Sequence, residues 1–267
     1  MSNPVTEPVS ARESWWILAI VGVIGGVLSG AFGVGGGILI VPLLVTLAGM
    51  DQRRASATSL AAIVPTAIVG SITYLAAGRI DYVAAILLAV GGVAGSWAGT
   101  RLLKKLPLGW LRWLFIGFVL LIAVRMLILL PPRAEGSLDY SVWAGVGLVF
   151  LGLLIGFASG LFGIGGGVIA VPALMTIFGM GDLTAKGTSL LMLIPTSITG
   201  TVQNVRGRLV DLRAGLIVGV AATAASFAGV WLAFLMSPAV SSYLFAALLV
   251  VAAVQLALKA LRDRRKA

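Results

Sequence analysis

Apolar residues run almost without interruption through this chain, and its few polar positions cut it into pieces of membrane length. Apolar runs occupy 15–31, 55–77, 83–100, 110–130, 140–161, 186–202, 212–235 and 239–258. Each is near the ~20 residues a helix needs to cross the hydrocarbon core of a bilayer. A further stretch between Gly37 and Met50 is shorter: as a helix it would reach only about 20 Å. It reads as a half-helix, a re-entrant segment or a tilted one. Counting hydropathy alone gives eight spans; including this stretch gives five segments in each half of the chain.

Composition sharpens the class. Of the 267 residues, 60% are hydrophobic and 10% charged, with a mean hydropathy of +1.10, whereas a soluble domain carries roughly 25% charged residues. The chain therefore reads as an all-α integral membrane protein. Residues 1–14 are polar without a basic leader region, so the run from Trp15 reads as part of the fold and not as a cleaved signal. The absence of Cys and His excludes disulfides, thiolate metal sites and imidazole ligands or bases. No cofactor or metal is expected.

The sequence is written twice. A shift of 130 residues aligns Gly30-Ala31-Phe32-Gly33-Val34-Gly35-Gly36-Gly37 with Gly160-Leu161-Phe162-Gly163-Ile164-Gly165-Gly166-Gly167, and 13 of the 22 positions from Ser29 to Met50 are identical. The register continues through Thr58-Ser59-Leu60 and Thr188-Ser189-Leu190, Pro65-Thr66 and Pro195-Thr196, Gly70 and Gly200, and Asp81 and Asp211. A one-residue slip would set Gly78-Arg79 against Gly207-Arg208. The polar stretch 131–137 separates the halves.

Charge gives the halves opposite orientations. Arg101, Lys104, Lys105 and Arg112 follow the fourth segment of the first half, while the matching stretch 231–242 carries no charge. With the basic tail in the cytoplasm, 15 Lys and Arg fall inside and Arg79, Arg133 and Lys186 outside, Arg125 lying within a span. This is the positive-inside distribution, and it accounts for the +10 charge without nucleic acid. The order is then a cytoplasmic tail (1–14), a first repeat (15–130), an external linker (131–139), a second repeat (140–260) and a basic cytoplasmic tail (261–267). Opposite orientation needs an odd number of crossings per half, so the short glycine-led stretch is expected to supply a fifth.

The glycine runs carry the candidate chemistry. Each glycine costs about 1 kcal/mol relative to alanine inside a helix, so Gly33, Gly35, Gly36 and Gly37, with Gly163, Gly165, Gly166 and Gly167, mark breaks. Irregular backbone at membrane depth is tolerated where it is buried in protein or lines a cavity. A helix starting just beyond each break, near Ile38 in the first half, directs free N–H groups and a positive dipole end at the glycines, a setting for a small anion. The alternative is close packing alone, which is the reading for the spaced glycines Gly26 and Gly30, Gly91, Gly95 and Gly99, and Gly156 and Gly160.

Hydroxyls of Thr58, Ser59 and Thr66, matched by Thr188, Ser189 and Thr196, could donate to a bound oxyanion or bond back to their own helix. Gln203 and Asn204 could line the path but read first as loop-edge residues, Arg125 as a snorkelling cation ahead of a partner for substrate, and the Arg79–Asp81 and Arg208–Asp211 pairs as interfacial markers ahead of a gate. All nine carboxylates lie in loops or at span ends, so no residue marks a coupling ion, H⁺ or Na⁺. Oligomeric state is not legible.

An intramembrane hydrolase would need a nucleophile and a base; Ser29-Gly30 offers the first, but without His there is no Ser–His pair. The glycine run also fails the dinucleotide and Walker patterns, since Ile38 and Val168 stand where the last glycine belongs. An anion channel with a backbone filter is the closer rival.

The doubled G-x-F-G-x-G-G-G with proline five residues on, at Gly30–Gly37 with Pro42 and Gly160–Gly167 with Pro172, resembles the sulfite exporter TauE/SafE family across roughly 15–260. The resemblance implies a multi-pass permease of the inner or plasma membrane, with both termini cytoplasmic. Its substrate would be a small sulfur-containing anion such as sulfite, sulfoacetate or thiosulfate.

Overall fold

The computed structural model describes residues 15–128 and 141–266. The tail 1–14 and the linker 131–139 lie outside them, as do the side chains of Arg125, Arg264, Arg265 and Lys266. Among the described residues there are ten helices. The first half gives α1 (Trp15–Phe32), α2 (Gly37–Thr46), α3 (Gln52–Ala76), α4 (Tyr82–Lys105) and α5 (Leu108–Ile128). The second gives α6 (Val142–Phe162), α7 (Gly167–Thr176), α8 (Asp182–Arg206), α9 (Leu212–Leu235) and α10 (Pro238–Lys266). Six of them, α1, α3, α4, α6, α9 and α10, are long and apolar enough by themselves to cross a membrane. The eight-span count gives way to five helices per half, one of them only ten residues long.

Local chemistry sets the boundaries. Asp81 starts α4 by accepting from Ala84 N–H, and Asp211 starts α9 by accepting from Ala214 N–H; an N-cap of this kind is worth about 1 kcal/mol. These aspartates, expected as interfacial markers, are helix caps. The loops before them also correct the expected one-residue slip. Ala77 and Gly207 share one conformation (φ −87° and −82°), and Gly78 (φ 67°) and Arg208 (φ 55°) share the left-handed one. The 130-residue register therefore holds throughout, and Gly207 only imitates Gly78 in the alignment.

Glycine contacts fix the helix directions. Gly22, Gly26 and Gly30 of α1 lie against Val218, Ala222 and Ser226 of α9, ascending together, so the two helices are parallel. The matching contacts of α6 with α4 pair Gly152, Gly156 and Gly160 with Leu88, Gly92 and Ser96. A Cβ on Gly26 or Gly156 would stand 2.1 or 2.0 Å from a backbone oxygen of the partner, so these glycines do serve packing. By contrast α3 and α8, equivalent helices, run antiparallel: Gly70 meets Leu190 and Gly200 meets Leu60. Pro65 and Pro195 lie midway between those contacts.

Helix α9 is also parallel to α3, with Gly215 beside Thr58 and Ala61 and Gly219 beside Ala62 and Pro65. Because α1 and α3 share one direction, the chain must return between them, and α2 makes that return. It begins beside Gly25, where Gly36 packs on the Gly25 carbonyl, and runs back half the length of α1. In the second half Gly166 packs on Ile155 in the same way. In place of the expected fifth crossing the short stretch is a half-helix that turns back, and α3–α5 after the first hairpin and α8–α10 after the second form odd sets of three. Helices α5 and α10 close the outside. Phe115 and Phe118 pack on Phe162 at the end of α6, and Phe245 stacks on Phe32 at the end of α1.

One end of the bundle is basic. Arg53 donates to the carbonyls of Leu103 and Leu106, Lys104 Nζ to Gln203 O (2.8 Å), and Lys259 to Val45 O. These bonds gather the start of α3 and the ends of α2, α4, α8 and α10.

Candidate functional site

Two glycine turns meet at the centre. Gly33, Gly35 and Gly36 take φ of 67°, 77° and 74°, and Gly163, Gly165 and Gly166 take 72°, 81° and 87°, a region that L side chains rarely adopt. These angles let the chain leave α1, cross inward and start α2 within four residues. Gly33 N–H still bonds to Ser29 O, and Gly36 O receives the N–H groups of Leu39 and Ile40. Backbone then touches backbone: a Cβ on Gly37 would stand 2.5 Å from Gly163 O, and one on Gly167 2.4 Å from Gly33 O. Ile63 and Leu193 cover Gly35, and Ile63 also reaches Gly165. The N-termini of α2 and α7 therefore face the same small region from opposite directions, each bringing its positive dipole end.

The hydroxyls divide into three roles. Ser59 Oγ donates to Gly163 O (2.8 Å) and Ser189 Oγ to Gly33 O (2.9 Å), so each serine ties its helix to the glycine turn of the other half. Thr58 Oγ1 accepts from Asp211 N–H and Thr188 Oγ1 from Asp81 N–H, bracing the loops at the two ends. Thr66 and Thr196 bond back to Ala62 O and Met192 O of their own helices. Of the residues singled out in the sequence, the structure brings together the eight glycines and the two serines. The four threonines stand apart from the crossing.

Two polar residues are more buried than their places at span ends suggest. Asn204, expected first at a loop edge, is fully buried. Lys186, placed by sequence on the outer side at the head of a span, is 1% exposed; Nζ donates to Asp182 Oδ2 (2.7 Å) and to Ser241 Oγ (3.0 Å). Its backbone abuts the glycine turn, since a Cβ on Gly33 would lie 2.6 Å from Lys186 Cα. The i, i+4 spacing of Asp182 and Lys186 at the head of an apolar run was the available signal. Tyr74 was not singled out at all; it is buried, and Oη donates to Gly30 O at 2.9 Å.

Comparison with known proteins gives this architecture its place. A family model described as sulfite exporter TauE/SafE matches residues 2–126 and 148–267. The chain is 30% identical over 214 residues to the probable membrane transporter protein YunE of Bacillus subtilis, covering 72% of this chain and 78% of that protein. It is 30% identical over 192 residues to YdhB of the same organism, also a probable membrane transporter protein, covering 70% and 77%. A probable membrane transporter protein of Xylella fastidiosa is 31% identical over 187 residues, covering 68% and 70%. No solved structure matches the chain. With a family model spanning both repeats and relatives named as transporters over most of their length, the chain belongs to the sulfite exporter TauE/SafE family of membrane transporters.

Proposed function

We propose that the protein is a secondary transporter of small anions of the sulfur oxyacid or organosulfonate type, held near the midplane between the two glycine turns. The observation that carries the reading is the meeting of two half-helix N-termini on backbone with φ > 0. Helix N-termini favour negative charge, and broken helices placed this way from two inverted halves are the site architecture of several secondary transporters. The sulfur chemistry rests on family membership alone. On the positive-inside rule the basic end of the bundle is the cytoplasmic one, which supports a multi-pass protein of the cell membrane with both termini inside.

Flux into liposomes tests this. Purified protein is expected to take up sulfite, thiosulfate or sulfoacetate saturably, with no uptake of a monovalent cation. Gly35→Leu or Gly165→Leu is expected to abolish uptake in folded protein, because the side chain strains a φ near 80° and crowds Ile63 at the crossing. Cation flux without anion flux defeats the site; carboxylate flux alone defeats only the substrate class; currents far above carrier rates favour a channel.

A further inference from the structure

We infer that Gln52, Ser56, Ser159 and Asn204 form a polar station for a small oxyanion, on the side of the glycine crossing away from Lys186. The inference rests on the anion-transport reading and adds to it a set of side chains outside the glycine turns.

The internal repeat shows that these positions converge. By the 130-residue register, Gln52, Ser56, Ser159 and Asn204 are the counterparts of Asp182, Lys186, Ser29 and Tyr74. In that second copy the side chains are in contact or near it. Lys186 binds Asp182, Tyr74 reaches Gly30 O, and a Cβ on Gly187, next to Lys186, would stand 2.9 Å from Tyr74 Cβ. The backbone setting is the same in both copies: a Cβ on Gly33 would lie 2.6 Å from Lys186 Cα, and one on Gly163 2.5 Å from Ser56 Cα. Ser159 is one turn before Gly163 and accepts its N–H through the main chain.

The two copies differ in chemistry. Around Gly33 the cation Lys186 and the anion Asp182 pair with each other, the Tyr74 phenol donates to Gly30 O, and Ser29 Oγ alone is left over. Around Gly163 the side chains are short and neutral. Gln52 Nε2 and Oε1, Ser56 Oγ, Ser159 Oγ, and Asn204 Nδ2 and Oδ1 are all buried without a hydrogen-bond partner among the described residues. Gln52 is 1% exposed and the other three 0%.

Buried polar side chains are nearly always paired, so a cluster from three helices with none of its side-chain hydrogen bonds made calls for a polar occupant. Two amide NH₂ groups and two hydroxyls supply donors. The N-terminal end of α3, whose first two turns carry Gln52 and Ser56, adds its positive dipole end. The carboxylate next to them in sequence, Asp51, is taken up by Arg53 N–H and Arg54 N–H. Donors without a competing anion suit an oxyanion. In the other copy Asp182 already holds that place.

Sulfite uptake into liposomes and sulfite-dependent thermal stabilisation in detergent, against chloride at equal ionic strength, test the station together. Gln52→Leu and Asn204→Leu, close in volume to the native side chains, are expected to raise the KM for sulfite at least tenfold and to remove the stabilisation. Both variants should keep the wild-type gel-filtration profile. Asn204→Asp, which sets a carboxylate against the anion, should be more severe. Gln52→Asp combined with Ser56→Lys, which copies the Asp182–Lys186 pair, should also lose the sulfite response. A KM within twofold of wild type and full stabilisation in both leucine variants would show that the cluster holds only water, overturning the station while anion transport stands. Wild-type protein neither transporting nor stabilised by sulfite, thiosulfate or sulfoacetate would overturn both.

Discussion

At the scale of single residues, the repeat makes each position its own control. Gly78 and Arg208 occupy the same turn with the same sign of φ, yet one is glycine and the other carries a Cβ that the left-handed region disfavours by about 1–2 kcal/mol. Arg208→Gly relieves that strain at some cost in unfolded-chain entropy, so a net gain of about 0.5–1 kcal/mol is expected, read as a higher unfolding temperature in detergent. A lower temperature would mean that the Arg208 side chain contributes more than its backbone costs. The same comparison shows why the burial of Lys186 was not legible in the sequence. Its neighbours in sequence are those of a loop-flanking cation, and only the fold brings Ser241 and the Gly33 turn against it. Burial of a charge depends on tertiary partners that spacing does not reveal, although Asp182 four residues earlier was visible.

At the scale of elements, the glycine runs were legible as breaks because glycine's conformational freedom is a property of the residue itself. The start of α2 at Gly37 follows from it. The direction of α2 was not legible: a ten-residue apolar helix reads alike in either direction, and only the parallel arrangement of α1, α9 and α3 makes it the returning arm. The serines show the same limit. Ser59 and Ser189 could be placed near the turns, but their acceptors lie 104 and 156 residues away in sequence. As cross-ties between halves they make a specific prediction. Ser59→Ala and Ser189→Ala each leave a buried glycine carbonyl without its hydroxyl donor, at a cost of about 1–3 kcal/mol. Both should lower the unfolding temperature, whereas Thr66→Ala, which removes a bond within one helix, should cost less. Equal losses in all three would deny the cross-ties any special place.

At the scale of the whole molecule, the geometry and the charges address different halves of one question. Antiparallel packing of the equivalent helices α3 and α8 puts the α4–α5 corner at one end of the bundle and the α9–α10 corner at the other. Packing alone does not say which end faces the cytoplasm. The positive-inside rule gives an expectation, the basic end inside: Arg101, Lys104 and Lys105 lie at the first corner, and the second, from Trp231 to Ser242, has no charge. Gly109 and Ala239, equivalent by the 130-residue register, are both exposed, and a Cβ on Gly109 would meet nothing within 4 Å. Single cysteines there have no competitor in a chain without Cys. With an impermeant thiol reagent on intact cells, Ala239→Cys is expected to label and Gly109→Cys to label only after the membrane is opened. The reverse pattern would keep the opposed halves and overturn the charge rule for this protein. Labelling of both from one side would be incompatible with the packing of α3 on α8, and with it the meeting of two half-helix N-termini from opposite directions on which the anion site depends.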